Sequence, residues 1–243
     1  MIESTRNYLQ ITRCLHISKL LESAIVTAEK SQMSYLEFLH YLLEKECSER
    51  EQRSITRRLK QARLPSMKSF DDFDFAYQQS ITKKQVKNWL SFVWIEQREN
   101  IILMGPPGVG KTHIAIALCY EAVKAGYKAL FHNMNDLIEA LMLANLDDKM
   151  DVFLNKLSKF DLIVIDEMGY LPLNSVAANL FFRFVSHMYE YKSIVITSNR
   201  LFNEWGVTFN DNVIATAILD RLLHHAHAIT MLGDSFRIKH LKQ

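Results

Sequence analysis

Residues Gly105-Pro106-Pro107-Gly108-Val109-Gly110-Lys111-Thr112 match the spacing GxxxxGK[ST]. A loop of this kind curls its backbone so that successive N–H groups converge on phosphate oxygens, and glycine supplies the dihedral angles the curl requires. A helix starting near Gly110 would turn the positive end of its dipole towards the same anion. Lys111 would reach the phosphate oxygens, and the Thr112 hydroxyl would ligate Mg²⁺. Further along, Leu162-Ile163-Val164-Ile165-Asp166-Glu167 is an apolar run that ends in two carboxylates. Asp166 fits the second Mg²⁺ contact, usually made through water, and Glu167 fits the base that polarises a water for attack on a γ-phosphate. A third apolar run ends in Thr197-Ser198-Asn199, where the Asn199 amide can help Glu167 orient that water. Asp220-Arg221-Leu222-Leu223 closes the last helix before the final strand. Arg221 keeps its charge in water and can fork onto phosphate, which makes it a candidate finger offered to a neighbouring subunit's nucleotide. Plainer readings stand beside these: a chance glycine turn, helix-capping carboxylates, a turn amide, and a surface Arg paired with Asp220. The four stretches together describe a site that binds ATP with Mg²⁺ and hydrolyses it.

Elements that could position these groups follow from periodicity. Strand-like runs fall at Ile101–Met104, Ala129–His132, Leu162–Ile165, Ser193–Thr197 and Ala228–Met231. Helical stretches at 110–125, 135–145, 148–159, 175–190 and 212–225 alternate with them. Alternation of this kind means βαβ crossovers and a parallel five-stranded sheet covered by helices on both faces. Residues 1–65 read as helical throughout, with Ser34 and Glu37 spaced as a capping box ahead of Leu36, Leu39, Leu42 and Leu43. Leu64-Pro65 breaks the helical pattern, residues 66–81 read as an extended connector, and 82–243 form the α/β ATPase domain. The fold class is therefore α/β, with a phosphate-loop core and a small all-α domain before it.

The 243 residues are 49% hydrophobic and 23% charged, which suits one sizeable core with an appendage. Cys14, Cys47 and Cys119 are scattered, a pattern that predicts a reducing compartment and neither a disulfide framework nor a zinc site. No apolar run reaches the roughly 20 residues of a membrane span, and no signal-peptide core opens the chain, so a cytoplasmic protein without a membrane partner is expected. An NKxD guanine-reading motif and the arginine cluster of a kinase lid are both missing from the sequence. His224, His225 and His227 straddle a helix end, where imidazoles are ordinary.

The chain resembles the AAA+ ATPases, and within them the IstB-type helper ATPases of insertion-sequence transposition. The resemblance runs through Arg57-Arg58-Leu59-Lys60-Gln61-Ala62-Arg63-Leu64-Pro65, Phe73-Asp74-Phe75, Arg98-Glu99-Asn100, and His113 after the loop. It continues through Asp161 to Pro172, Ile218 to Ala226, and Gly233-Asp234-Ser235-Phe236-Arg237. It implies that Asn199 is the first sensor and Arg221 the finger. Only Gly233 to Gln243 follow the last strand, so the usual helical lid with its second sensor is expected to be missing, and Arg237 could partly substitute. It also implies a bacterial, nucleoid-associated protein whose subunits assemble with ATP on duplex DNA, bend or remodel it, and stimulate a cognate transposase. DnaC-type helicase loaders are close relatives and supply the alternative, a loader that docks on a replicative helicase and favours single-stranded DNA.

Between Arg50 and Arg63, six basic residues face one acid, Glu51. Of these Arg57, Arg58, Lys60 and Arg63 are the candidate contacts to DNA phosphate, with transposase docking as the rival use of the N-terminal helices. Phe70, Phe73, Phe75 and Tyr77 could line an adenine pocket or pack on the core.

Overall fold

A computed structural model describes residues 1–236. Two compact units emerge, Met1–Arg57 and Arg58–Gln243. Helices α1 (Ile2–Ile11), α2 (Leu15–Lys30) and α3 (Tyr35–Ala62) precede the sheet, and α3 ends in the second unit. The Ser34 capping box forms: the Ser34 N–H donates to Glu37 at 2.7 Å and the Glu37 N–H donates to Ser34 Oγ at 3.4 Å. The leucine stripe behind it does not pack as expected, because Leu36, Leu39 and Leu43 are exposed. What α3 buries in the first unit is Glu46, whose Oε2 accepts the backbone N–H groups of His16 and Ile17 at 2.8 and 2.9 Å. A carboxylate at the start of α2 satisfies two of its orphan donors and favours the dipole there. Hydrogen bonds from Arg50 and from the two N–H groups hold this carboxyl below its ordinary value, overcoming burial, the largest single influence on it.

The second unit continues with the short helices α4 (Lys83–Trp89) and α5 (Val93–Glu96), then β1 (Asn100–Met104), α6 (Lys111–Lys124) and β2 (Ala129–Asn133). After these come α7 (Met134–Leu146), α8 (Met150–Leu157), β3 (Leu162–Met168), α9 (Ser175–Met188) and β4 (Ser193–Ser198). Then follow α10 (Trp205–Phe209), α11 (Asn212–Leu223) and β5 (Ala226–Thr230). The strands form one parallel sheet in the order β2-β3-β4-β1-β5. This is the five-stranded parallel sheet that the alternating pattern predicts. The central strands are continuous apolar runs because both faces are covered. Ile102, Ile163, Ile165, Ile194 and Ile196 join one core with α7 to α11, whereas Ile101, Leu103, Leu162, Val164 and Val195 join the other with α6. Period-two alternation thus divides each strand between two cores.

The connector is not a free linker. Phe70, Phe73 and Phe75 pack on the α6-side core, and Gln78 is buried with its Nε2 donating to the carbonyls of Val109 and Leu232, both at 3.1 Å. Among the described residues no helix is long and apolar enough to cross a membrane.

Candidate active site

Every strand of a parallel sheet ends at the same edge, so the residues following β1, β3 and β4 are neighbours although they are far apart in sequence. The loop after β1 carries Gly105 to Thr112. Gly105 has φ +139°, and a Cβ there would lie 2.0 Å from the Met231 carbonyl oxygen, so only glycine fits. Gly110, at φ +101°, caps α6 and lies under the Phe73 ring. The loop is braced from outside: the Gly105 N–H donates to the Ser198 carbonyl at 3.1 Å, and the Phe236 N–H donates to the Gly108 carbonyl at 3.0 Å. Lys111 is buried and folds back, its Nζ donating to the carbonyls of Gly105 and Pro106, each at 2.7 Å.

Asp166, at the end of the straight part of β3, is 5% exposed. Two neutral hydroxyls donate to its Oδ1, Thr112 Oγ1 at 2.9 Å and Thr197 Oγ1 at 2.5 Å. Burial pushes its carboxyl above the ordinary aspartate value, and these hydroxyls only partly counter it. A buried carboxylate beside the Thr112 hydroxyl is an all-oxygen donor set that a small hard dication suits.

Glu167 departs from the strand. Its φ is +64°, the β3–β4 register shifts between Ile165 and Met168, and its side chain is exposed. A left-handed conformation at a residue bearing a side chain is held only when the surroundings determine it. Here the Glu167 N–H donates to Thr197 Oγ1 at 3.0 Å, and Asn133 Nδ2 donates to Glu167 Oε2 at 2.6 Å. Asn133 pairs with Asp166 across the β2–β3 ladder and also caps α7. Thr197 and Asn133 were not among the residues singled out above. Thr197 signals itself as a polar residue inside the run Ile194-Val195-Ile196-Thr197; Asn133 carries no signal beyond ending a strand, since only sheet order makes it Glu167's neighbour.

Thr112, Asp166 and Glu167 therefore line one cavity of about 960 Å³, together with Lys111 and Gly108 to Gly110. Asn199 is exposed on the turn that follows β4. Phe73 and Tyr77 line the same cavity, and Tyr77 meets Phe236 edge-on at 5.2 Å. Arg221 is not brought to this site. It lies at the opposite edge, near Asn100 and Ile194 at the starts of β1 and β4, with Nη1 donating to the Ala217 carbonyl at 2.9 Å and its guanidinium 4.7 Å from the Phe182 ring centroid. Of the basic series, Arg57 and Lys60 are exposed, and Arg58 Nε donates to the Val123 carbonyl at 3.2 Å. Arg63, one residue past α3, lines the cavity. Arg237 lies outside the described residues.

A family model described as IstB-like ATP binding protein matches residues 9–243. A protein of insertion sequence IS21 in Pseudomonas aeruginosa, named for ATP binding, is 46% identical over 92% of this chain and 84% of its own length. One of insertion sequence IS5376 in Geobacillus stearothermophilus, similarly named, is 40% identical over 93% of this chain and 91% of its own. Among solved structures, DnaI aligns with a TM-score of 0.56 at 20% identity, covering 68% of this chain and 91% of that one. AMPPCP-bound DnaA from Aquifex aeolicus aligns with a TM-score of 0.58 at 21% identity, covering 74% and 55% respectively. At these identities the structures share the fold with this chain.

Proposed function

The chain belongs to the IstB-like ATP-binding proteins, and on that premise we propose that it hydrolyses ATP as the DNA-bound helper of an insertion-sequence transposase. The observation that carries the hydrolytic reading is the meeting of Thr112, Asp166 and Glu167 in the lining of one cavity with the phosphate loop. Backbone N–H groups of Gly108 to Lys111 would cradle the β- and γ-phosphates, and Lys111 would exchange its two loop carbonyls for phosphate oxygens. Thr112 and Asp166 would hold Mg²⁺, which when bound neutralises charge on the phosphates. Glu167 would take a proton from the attacking water as its oxygen bonds to the γ-phosphorus and the bridging oxygen leaves with ADP. Asn133 occupies one carboxylate oxygen of Glu167, so that oxygen must be released, or the other used, before the base can act. Asn199 stands on the adjoining turn as the partner in orienting the water.

Arg221 cannot serve its own loop from the amino edge of the sheet, so its role as a finger requires a second copy of the chain. Arg57, Arg58, Lys60 and Arg63 are the proposed contacts to the phosphates of duplex DNA; Arg58 has already committed its Nε to Val123. The domain reading assigns partner and DNA binding to residues 1–65 and catalysis to 82–243.

The test is ATP turnover by the purified chain alone, with duplex DNA, with single-stranded DNA, and with the transposase of the same element. Duplex DNA is expected to stimulate turnover more than single strands, and Glu167→Gln to keep ATP binding while turnover falls about 10²–10⁴-fold. Undiminished hydrolysis by the Gln variant would remove the base. Preferential stimulation by single strands, with no effect on the transposase, would favour a helicase loader.

A further inference from the structure

Arg200 follows Asn199 directly and is fixed at both ends. Its backbone closes a tight turn, the N–H donating to Ser198 Oγ at 3.0 Å while that hydroxyl donates to the Arg200 carbonyl at 2.9 Å. Its half-buried side chain then runs across the end of the sheet to the loop after β3, where Nε donates to the Gly169 carbonyl at 2.9 Å. The stem lies flat on Gly169: a Cβ added there would come 3.2 Å from Arg200 Cδ, 3.3 Å from Cγ and 3.3 Å from Thr208 Oγ1. With φ at +86° as well, residue 169 is a glycine that admits the arginine.

Gly169 is two residues beyond Glu167 and one beyond the end of β3; Glu167 lies where β3 slips its register against β4, before pairing resumes at Met168 with Ser198. Ladder bonds therefore do not by themselves dictate where the Glu167 carboxylate stands. Two cross-links from β4 and its turn hold the chain on either side of the Met168–Ser198 pair, the Thr197 hydroxyl on the Glu167 N–H and the Arg200 guanidinium on the Gly169 carbonyl. The same turn receives the Gly105 N–H on the Ser198 carbonyl, so the start of the phosphate loop is tied to it too. All three loops that edge the proposed reaction centre meet at Ser198 to Arg200.

We infer that Arg200 is a positioning residue for ATP hydrolysis: it locks the loop that follows Glu167 to the turn bearing Asn199 and so sets the separation of the two groups that share the attacking water. The inference rests on the reading of Glu167 as the base. Arg200 acts through Gly169 and touches no reacting atom. A planar guanidinium with a directed Nε–H on an apolar stem performs both contacts at once, whereas a lysine keeps the stem but aims its charge less strictly.

The test compares Arg200→Ala, Arg200→Lys and Glu167→Gln in the full chain, by steady-state kcat and KM, affinity for a fluorescent ATP analogue, and melting temperature. Misplacing a water-orienting pair should lower kcat about tenfold in Arg200→Ala, with KM and analogue affinity within about twofold of wild type. Arg200→Lys should recover part of the loss. Wild-type kcat in Arg200→Ala overturns the inference, as does a loss shared equally by kcat, nucleotide affinity and melting temperature, which marks a merely structural residue. Should Arg200→Ala not fold, Arg200→Lys decides by the same split, reduced kcat at unchanged KM against wild-type kcat. Glu167→Gln separates the two failures: if it hydrolyses normally the base reading has failed, and if it is inert while Arg200→Ala is fully active only the positioning role has.

Discussion

At the amino edge of the sheet, the buried side chain of Asn100 accepts the Ile194 N–H at 2.9 Å and donates to the Leu222 carbonyl at 3.0 Å, and buried Ser193 donates to the Trp94 carbonyl at 3.3 Å. At the carboxyl edge, buried Asp166 receives two hydroxyls and still has its carboxyl pushed up by desolvation. The amino edge is a set of neutral groups that satisfy one another and join β1, β4 and α11. The carboxyl edge retains a buried carboxyl met only by neutral donors, beside a loop of backbone N–H groups. A stabilising network closes on itself, whereas a binding site leaves an electrostatic demand for its ligand to meet. Arg221 complicates the division, since it lies at the self-satisfied edge and yet is the proposed finger for a neighbour.

Arg221→Ala bears on that point with the largest expected effect. Turnover in the assembled state should fall by about 10³-fold, the usual worth of such a finger, while ATP binding by the isolated chain is unchanged. Measuring turnover against protein concentration checks this, and unaltered turnover at every concentration would return Arg221 to a purely structural edge. Thr197→Val is next. It keeps the shape of a buried residue and removes the hydroxyl shared by Asp166 and the Glu167 N–H. We expect kcat to fall about 10–100-fold, as displacement of a reacting group does. A valine variant with normal kcat would mean that the carboxyl edge does not depend on this cross-link.

Asn100→Ala probes the other edge through stability alone. Stranding buried partners costs about 1–3 kcal/mol, and each kcal/mol lowers the melting temperature of a chain this size by about 2–4 °C. Nucleotide affinity should not move; a change in it would show that the two edges are coupled. Asp166→Asn should have the smallest effect and the opposite sign. Because burial raises the Asp166 carboxyl, the folded state retains a proton at pH values where the unfolded chain has lost it. That contribution is complete below the unfolded value and is lost as pH rises through the folded one. At neutral pH, above the ordinary aspartate range, the nucleotide-free protein therefore carries the cost of this raised carboxyl, and the Asn variant should melt a few degrees higher. The gap should close as pH is lowered towards about 4. A lower melting temperature for Asn at pH 7 would contradict the view of Asp166 as an unmet demand.

The phosphate loop was legible in the sequence because its chemistry is local: glycine dihedrals, a lysine and a threonine at fixed spacing, and a strand and a helix on either side. Asp166 and Glu167 were legible for the same reason, being the polar end of an apolar run. Strands β1 to β4 and the main helices followed from periodicity, because burial in a covered parallel sheet leaves a continuous apolar signature, whereas β5 is a largely exposed edge strand that starts two residues before the run expected at Ala228–Met231. Register and sheet order are set by packing between segments far apart in the chain, and residue types do not encode them singly. That is why Asn133 as the holder of Glu167, Thr197 as the bridge from the Asp166 carboxylate to the Glu167 N–H, and Arg200 on Gly169 came only from the tertiary structure. In the N-terminal helices the apolar stripe of α3 was visible, but its exposure was not: whether a leucine face is covered depends on the partner it meets, and here the buried place on the helix went to Glu46. The sequence by itself determined which residues carry groups suited to phosphate, since that depends on their own functional groups. Tertiary structure decided which of them share an edge, because distance between groups is a property of the folded chain.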